Sequence, residues 1–170
     1  MIRNAFAALF AVALMAAPAN AQDSHGHADG KEDQSHHEGE ANGVRAVHAW
    51  TRATSESTTL VFVEIENKSD RNVSIVGGHA EWAEKAELVG FQLKDGEPDY
   101  VALPAVPVKA GTEMTLAPNG LALRFEGLKM PMEKGSEHEI EIEFDFGHIE
   151  MHMQVEDAGA NNHSHVGHQH

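Results

Sequence analysis

The sequence predicts an all-β domain, an antiparallel Greek-key β-sandwich, flanked by disordered histidine-rich ends. Three observations carry that expectation. Between Val44 and Val155 apolar and polar residues alternate in short runs, which is the period of a strand with one buried face. Clusters of Gly, Pro, Asn, Asp and Lys separate the runs, as strand-linking turns require. No stretch shows a convincing amphipathic helix, so the runs are read as layered strands.

Taken in order, residues 1–21 read as a secretory leader. Arg3 precedes an apolar run from Ala5 to Met15, and Ala19-Asn20-Ala21 forms a small-x-small cleavage pattern. The run is too short to span a bilayer, and no later stretch approaches the roughly 20 apolar residues a spanning helix needs; no membrane anchor is expected. Residues 22–43 are Gly-, His-, Asp- and Glu-rich with almost nothing apolar, so ordering them would cost entropy with no burial in return. The domain is expected over residues 44–155. Its strands are VRAVHAW from Val44, TLVFVEIEN from Thr59, NVSIVGG from Asn72, KAELVGF from Lys85, DYVAL from Asp99, EMTLAP from Glu113, LALRFEG from Leu121, EHEIEIEFDF from Glu137 and HIEMHMQV from His148. Only Ala80–Ala86 hints at a helical turn. The clearest strand is the Glu137 run, where Ile140, Ile142, Phe144 and Phe146 face the core while Glu139, Glu141, Glu143 and Asp145 face water. Residues 156–170 lose all periodicity and read as a second disordered end.

Charge and composition exclude several functions. The formal charge is −15, one unit more negative once Arg3 leaves with the leader. Nucleic-acid binding rests on clustered Lys and Arg, so it is not expected; an acidic surface instead concentrates cations. There is no cysteine. Any metal site must therefore use nitrogen, oxygen or thioether ligands, and a blue-copper centre, which needs a thiolate, is excluded. Catalysis finds no support: the sequence has no nucleophile elbow, no phosphate-cradling loop and no His-Glu-x-x-His pattern. The protein is expected not to be an enzyme.

Four segments in order, AWTRAT at Ala49–Thr54, VFVEIENKSD at Val61–Asp70, AEKAEL at Ala83–Leu88 and GLKMPMEKG at Gly127–Gly135, resemble the periplasmic copper chaperones of the PCuAC family over most of residues 44–155. The resemblance implies a cupredoxin-like or immunoglobulin-like β-sandwich that carries copper in the periplasm, in some members toward a copper-accepting oxidase or another cuproprotein. It also implies a Cu(I) site of two His and two Met. Those ligand places fall near Val89, Tyr100 or Val101, Ala122 and Arg124. Valine and alanine have no donor atom, and arginine brings a permanent positive charge, so the family's ligands do not carry over to this chain.

Metal ligands are therefore sought elsewhere. Eight of the 13 histidines lie in the two ends: His25, His27, His36 and His37, then His163, His165, His168 and His170. Neutral imidazole suits copper, as Cu(I) or Cu(II), and equally zinc or nickel, and a flexible segment can wrap an ion. Solubilising low-complexity sequence and an affinity tag are the alternatives. His148 and His152 project from one face of the last strand, about 13 Å apart at roughly 3.3 Å per residue, too far to share an ion unaided. Met130 and Met132 flank Pro131 and offer thioethers to Cu(I), though loop methionines also fill gaps. His48, His79 and His138 are expected to be structural or solvated. The expected function is a periplasmic copper chaperone or buffer. The rival is an interaction module of the same fold that has lost copper transfer.

Overall fold

The computed structural model describes residues 37–163. Residues 1–36 and 164–170, with the expected leader and most of the histidine-rich ends, lie outside the described residues. Eleven strands follow in order: β1 (Glu38–Ala41), β2 (Val44–Arg52), β3 (Thr58–Asn67), β4 (Val73–His79), β5 (Lys85–Lys94), β6 (Glu97–Ala102), β7 (Val106–Val108), β8 (Glu113–Leu116), β9 (Leu121–Glu126), β10 (Glu137–Phe144) and β11 (Gly147–Glu156). All nine expected strands are present. There is no helix among the described residues; of the expected helical turn at Ala80–Ala86, residues 80–84 form the turn between β4 and β5, and Lys85 and Ala86 already belong to β5.

Hydrogen bonding runs β6-β5-β9-β3-β2-β11-β10-β4-β7, with β1 added to β2 and β8 to β3. The path doubles back on itself. Gly78 of β4 faces β9 so closely that a Cβ there would stand 3.4 Å from both Leu123 and Phe125. Between the two halves lies one apolar core that includes Ile65, Ile75, Leu88, Phe125, Ile142 and Met153. Trp82, in the β4–β5 turn, packs on Phe125 with ring centres 4.8 Å apart and donates its Nε1–H to the Glu139 carbonyl at 2.9 Å. The alternation in β10 is as the sequence predicts: Ile140, Ile142 and Phe144 are buried, and Glu139 and Glu143 are exposed.

Three differences from expectation bear on the site. First, the sheet is mixed. β11 runs parallel to β2, with Gln154 opposite Trp50 and Glu156 opposite Arg52; alternation specifies which face a strand buries, not which direction its neighbour runs. Second, order begins before residue 44. Asn42 and Gly43 take positive φ of 54° and 75° and form a two-residue turn of the hairpin type, so β1 pairs with β2 from Glu38↔Val47 to Ala41↔Val44. Third, residues 156–163 are not a disordered tail: Glu156 closes β11 and the segment after it folds back on the domain. β7 is the other strand beyond the expected nine; its Pro107 is tolerated because β7 ends the sheet path.

Gly39 explains how β1 lies down. A Cβ there would stand 2.5 Å from the Glu150 carbonyl oxygen and closer still to the Ile149 side chain. Gly39→Val is therefore expected to lift β1 from β2 while the core stays folded. In native-state hydrogen exchange, amides of residues 38–41 would lose protection while those of β10 keep it. Unchanged protection at 38–41 would contradict the close approach.

Candidate metal-binding face

Alternation places a second, smaller apolar cluster on the outer face of the β6-β5-β9-β3-β2 half. Trp50, Phe62, Val89 and Ala122 are buried there, with Leu60, Tyr100 and Ala160 packed against them. The ligand places implied by the PCuAC resemblance come together on this face. Val89 pairs with Ala122 on β9 and with Ala102 on β6. Arg124, two residues along β9, donates from Nη1 to the Tyr100 carbonyl at 3.2 Å and from Nε to Glu87 at 3.1 Å. Val101, the alternative to Tyr100, is exposed. Arg124 first, then Lys85, hold the Glu87 carboxyl below its ordinary range through charge-assisted hydrogen bonds. The face thus carries apolar side chains and an ion pair where the resemblance would put soft donors.

The C-terminal segment reaches the same face. After Glu156, Gly159 N–H donates to Asp157 Oδ1 at 3.0 Å and Ala160 N–H to the Asp157 carbonyl at 2.9 Å, turning the chain back across β2. Arg52, whose guanidinium lies over the Phe62 ring, donates from Nε to the Ala160 carbonyl at 2.6 Å and from Nη2 to Asn161 Oδ1 at 3.3 Å. Two residues after Asn161, His163 Nδ1 lies 3.0 Å from Glu156 Oε1, and both side chains are about nine-tenths buried (9% and 10% exposed).

Beside His163 stands His48, in a β-bulge. Val47 pairs with Glu64 but Trp50 with Phe62, so β2 carries one extra residue there. His48 takes φ of 55°, a left-handed conformation that costs a non-glycine residue of order 1 kcal/mol. Its ring stacks on His163, with centres 5.8 Å apart at 27°, and its Nδ1 lies 3.6 Å from Glu64 Oε2. The two imidazoles, Glu64 and Asn161 line a pocket of about 160 Å³. Among the described residues, no three His, Asp or Glu side chains form a ready-made metal cluster.

The other residues named from sequence are scattered. His37 sits 3.3 Å from Glu137 at the start of β10. His148 and His152 project from β11 opposite Glu143 and Glu139, alternating with buried Ile149, Met151 and Met153, and the structure does not join them to a third ligand. Met132 is spent in the core at 2% exposed, while Met130 is exposed on a cleft of about 350 Å³ beside His79, Trp82 and Glu141; burial of one thioether separates the pair. Met114 is half-buried against the main core. His138 Nε2 lies 3.0 Å from Ser136 Oγ, and burial pushes this imidazole below its ordinary pKa, consistent with a structural residue. His25, His27, His36, His165, His168 and His170 lie outside the described residues. His48 was expected to be structural, and its place opposite His163 had no local signal, because it depends on a bulge and on a chain reversal 100 residues later.

Residues 44–161 match the family described as "Putative lipoprotein LpqE-like". "Putative lipoprotein Lxx21020" of Leifsonia xyli subsp. xyli (strain CTCB07) is 28% identical over 109 residues, 64% of this chain and 66% of that protein. The chain thus spans just under two thirds of that curated relative's length. Among solved structures, the apo PCuAC domain from PmoF1 superposes with a TM-score of 0.62 at 21% identity, covering 71% of this chain and 99% of that domain. The copper-bound PCuAC domain from PmoF2 gives 0.60 at 18% identity, covering 71% and 98%. At these identities the likeness is one of fold.

Proposed function

The chain belongs to the LpqE-like family, and from that premise we propose that it is an exported copper-binding protein, a chaperone or buffer, not an enzyme. Its β-domain carries histidine-bearing ends that capture the ion. The observation that carries this reading is the C-terminal segment folded onto the outer face, which delivers His163 beside His48 on a domain that shares its fold with a copper-bound PCuAC domain. Export rests on the leader-like residues 1–21 and on the lipoprotein description of the relative. A periplasmic setting and delivery to an oxidase or other cuproprotein follow from the PCuAC resemblance. Copper is favoured over zinc and nickel by the intrinsic order of divalent affinities.

Equilibrium dialysis of the chain from Gln22 against Cu(II), Cu(I) and Zn(II), with metal analysis, tests the reading. We expect copper bound more tightly than about 10 μM at pH 7.5. Imidazole must lose its proton to ligate, so affinity is expected to weaken at least about tenfold by pH 5.5, below the ordinary histidine pKa of about 6.5. No copper bound more tightly than about 10 μM would favour the second reading, an interaction module that has lost copper transfer. That reading is supported by Val89, Ala122 and the Arg124–Glu87 pair on the face where the resemblance puts ligands.

A further inference from the structure

The geometry points to a two-imidazole seat for one divalent copper or zinc ion between His48 of the β2 bulge and His163 of the returning C-terminal segment. The inference rests on the copper-binding reading above and deepens it, because it takes the metal from the chain ends alone to a site that the folded domain shares. Four observations converge. An ion bonded at about 2.0–2.1 Å to one nitrogen of each of two imidazoles holds their ring centres roughly 5–6 Å apart; His48 and His163 stand at 5.8 Å before any ion is bound. Each ring has a carboxylate at its Nδ1, Glu156 at 3.0 Å from His163 and Glu64 at 3.6 Å from His48. A carboxylate hydrogen-bonded behind the ring is the companion a metal-ligating histidine ordinarily has, since it fixes ring orientation and raises basicity; Glu156 stands at that distance from His163, whereas Glu64 is at ion-pair distance from His48 and has to draw closer to serve it.

The third observation is the bulge. Without its extra residue, β2 would run in register, and residue 48 would not take its left-handed turn; the bulge re-aims the side chain, and a histidine held there at φ of 55° marks a place where backbone strain accompanies a directed polar group. The fourth is the hook. Arg52 clamps the Ala160 carbonyl and Asn161, and Ala160 packs on the Trp50 cluster, so His163 is positioned by the fold before metal arrives. Two nitrogens with water or a swung carboxylate in the remaining positions suit Cu(II) or Zn(II) better than Cu(I), which prefers thioether or thiolate. The pocket at the pair, about 160 Å³, has room for the ion and its waters.

Cu(II) and Zn(II) titrations by calorimetry, on the chain from Gln22 and on His48→Asn, His163→Asn and the double variant, test the seat. Asparagine tolerates positive φ, so the bulge is kept, and a far-UV spectrum with a thermal melt confirms folding. His79→Asn, at an exposed histidine on β4, controls for a simple loss of one imidazole. We expect each single seat variant to weaken the tightest bound ion by about 100-fold, the order seen when a site loses a fixed partner. The double variant should weaken it no further than the stronger single one, because the two residues act on one ion. In electron paramagnetic resonance, the first equivalent of Cu(II) should show fewer coupled nitrogens in either variant. Affinity of folded His48→Asn within about twofold of the parent, or an equal loss in His79→Asn, would overturn the seat while leaving copper binding by the chain intact. A parent that binds neither ion would overturn both.

Discussion

Removing residues 158–170 is expected to abolish the tightest copper binding and, in the same molecule, to uncover the outer face. The deletion takes four histidines, His163, His165, His168 and His170, and with His163 goes one ring of the pair at the bulge. It also takes the only described part of the chain that crosses that face after β11. Ala160 no longer packs on the Trp50 cluster, and Arg52 loses its acceptors at 2.6 and 3.3 Å. A shielded hydrogen bond to the guanidinium is worth about 1.5–3 kcal/mol, and only the Ala160 one is part-buried while the Asn161 one is exposed, so a stability loss of about 1–3 kcal/mol is expected, read as a lower urea midpoint at unchanged slope. Trp50, 6% exposed in the folded chain, should shift its emission to longer wavelength. Copper measured by dialysis is expected to fall by at least half in stoichiometry and about 100-fold in the tightest affinity. Stoichiometry and affinity equal to those of the chain from Gln22 would remove the C-terminal segment from any role in loading, overturn the seat at His48, and leave capture to the N-terminal histidines alone.

The parts of this arrangement that could be read from sequence are those governed by local periodicity. The Ile140, Ile142 and Phe144 alternation against Glu139, Glu141 and Glu143 specifies a strand and its buried face without reference to the rest of the chain, and β10 forms as expected. The Asn42-Gly43 pair was an equally local signal. The polar composition of residues 22–43 argues for disorder, yet four paired residues and a glycine that permits close approach suffice to order β1. What alternation cannot carry is the partner of each strand. The parallel pairing of β11 with β2 joins residues about a hundred positions apart, and that pairing is what brings Glu156 beside Arg52 and turns His163 toward His48. The bulge has no sequence mark of its own, since V-H-A-W reads as an uninterrupted strand. The site was therefore visible as a surplus of histidine and invisible as geometry.

Installing donors at Val89, Tyr100, Ala122 and Arg124 is expected to create a Cu(I) site in a chain whose residues 158–170 have been removed. The resemblance implies two His and two Met at these places, and the fold already brings them together: Val89 and Ala122 are direct partners on β5 and β9, where cross-strand Cβ atoms lie about 4.5–5.5 Å apart, and Arg124 reaches the Tyr100 carbonyl on β6. Val89→His, Ala122→His, Tyr100→Met and Arg124→Met supply two imidazoles and two thioethers and remove the one cation among them, a donor set suited to Cu(I). The deletion removes the C-terminal imidazoles as competing ligands and takes Ala160 off the cluster to which Val89 and Ala122, both fully buried (0% exposed), belong; enlarging side chains in a filled cluster costs about 1–3 kcal/mol. Arg124→Met also leaves Glu87 with Lys85 as its one remaining cation of the two that hold it. A carboxyl held below its ordinary range contributes stability above its unfolded pKa and loses it as pH falls through the folded value, so this change should lower stability at pH 7 and the loss should shrink as acid protonates Glu87. Competition against a chromophoric Cu(I) chelator is expected to give a Kd at least about 1,000-fold tighter than that of the deleted chain without the four changes, more than 4 kcal/mol of new binding energy. A folded quadruple variant that binds Cu(I) no better than this parent would show that the four places, although adjacent in the sheet, do not converge on one ion. Tight Cu(I) binding by the deleted parent itself would move the site to the N-terminal histidines or to the cleft at Met130, which is exposed.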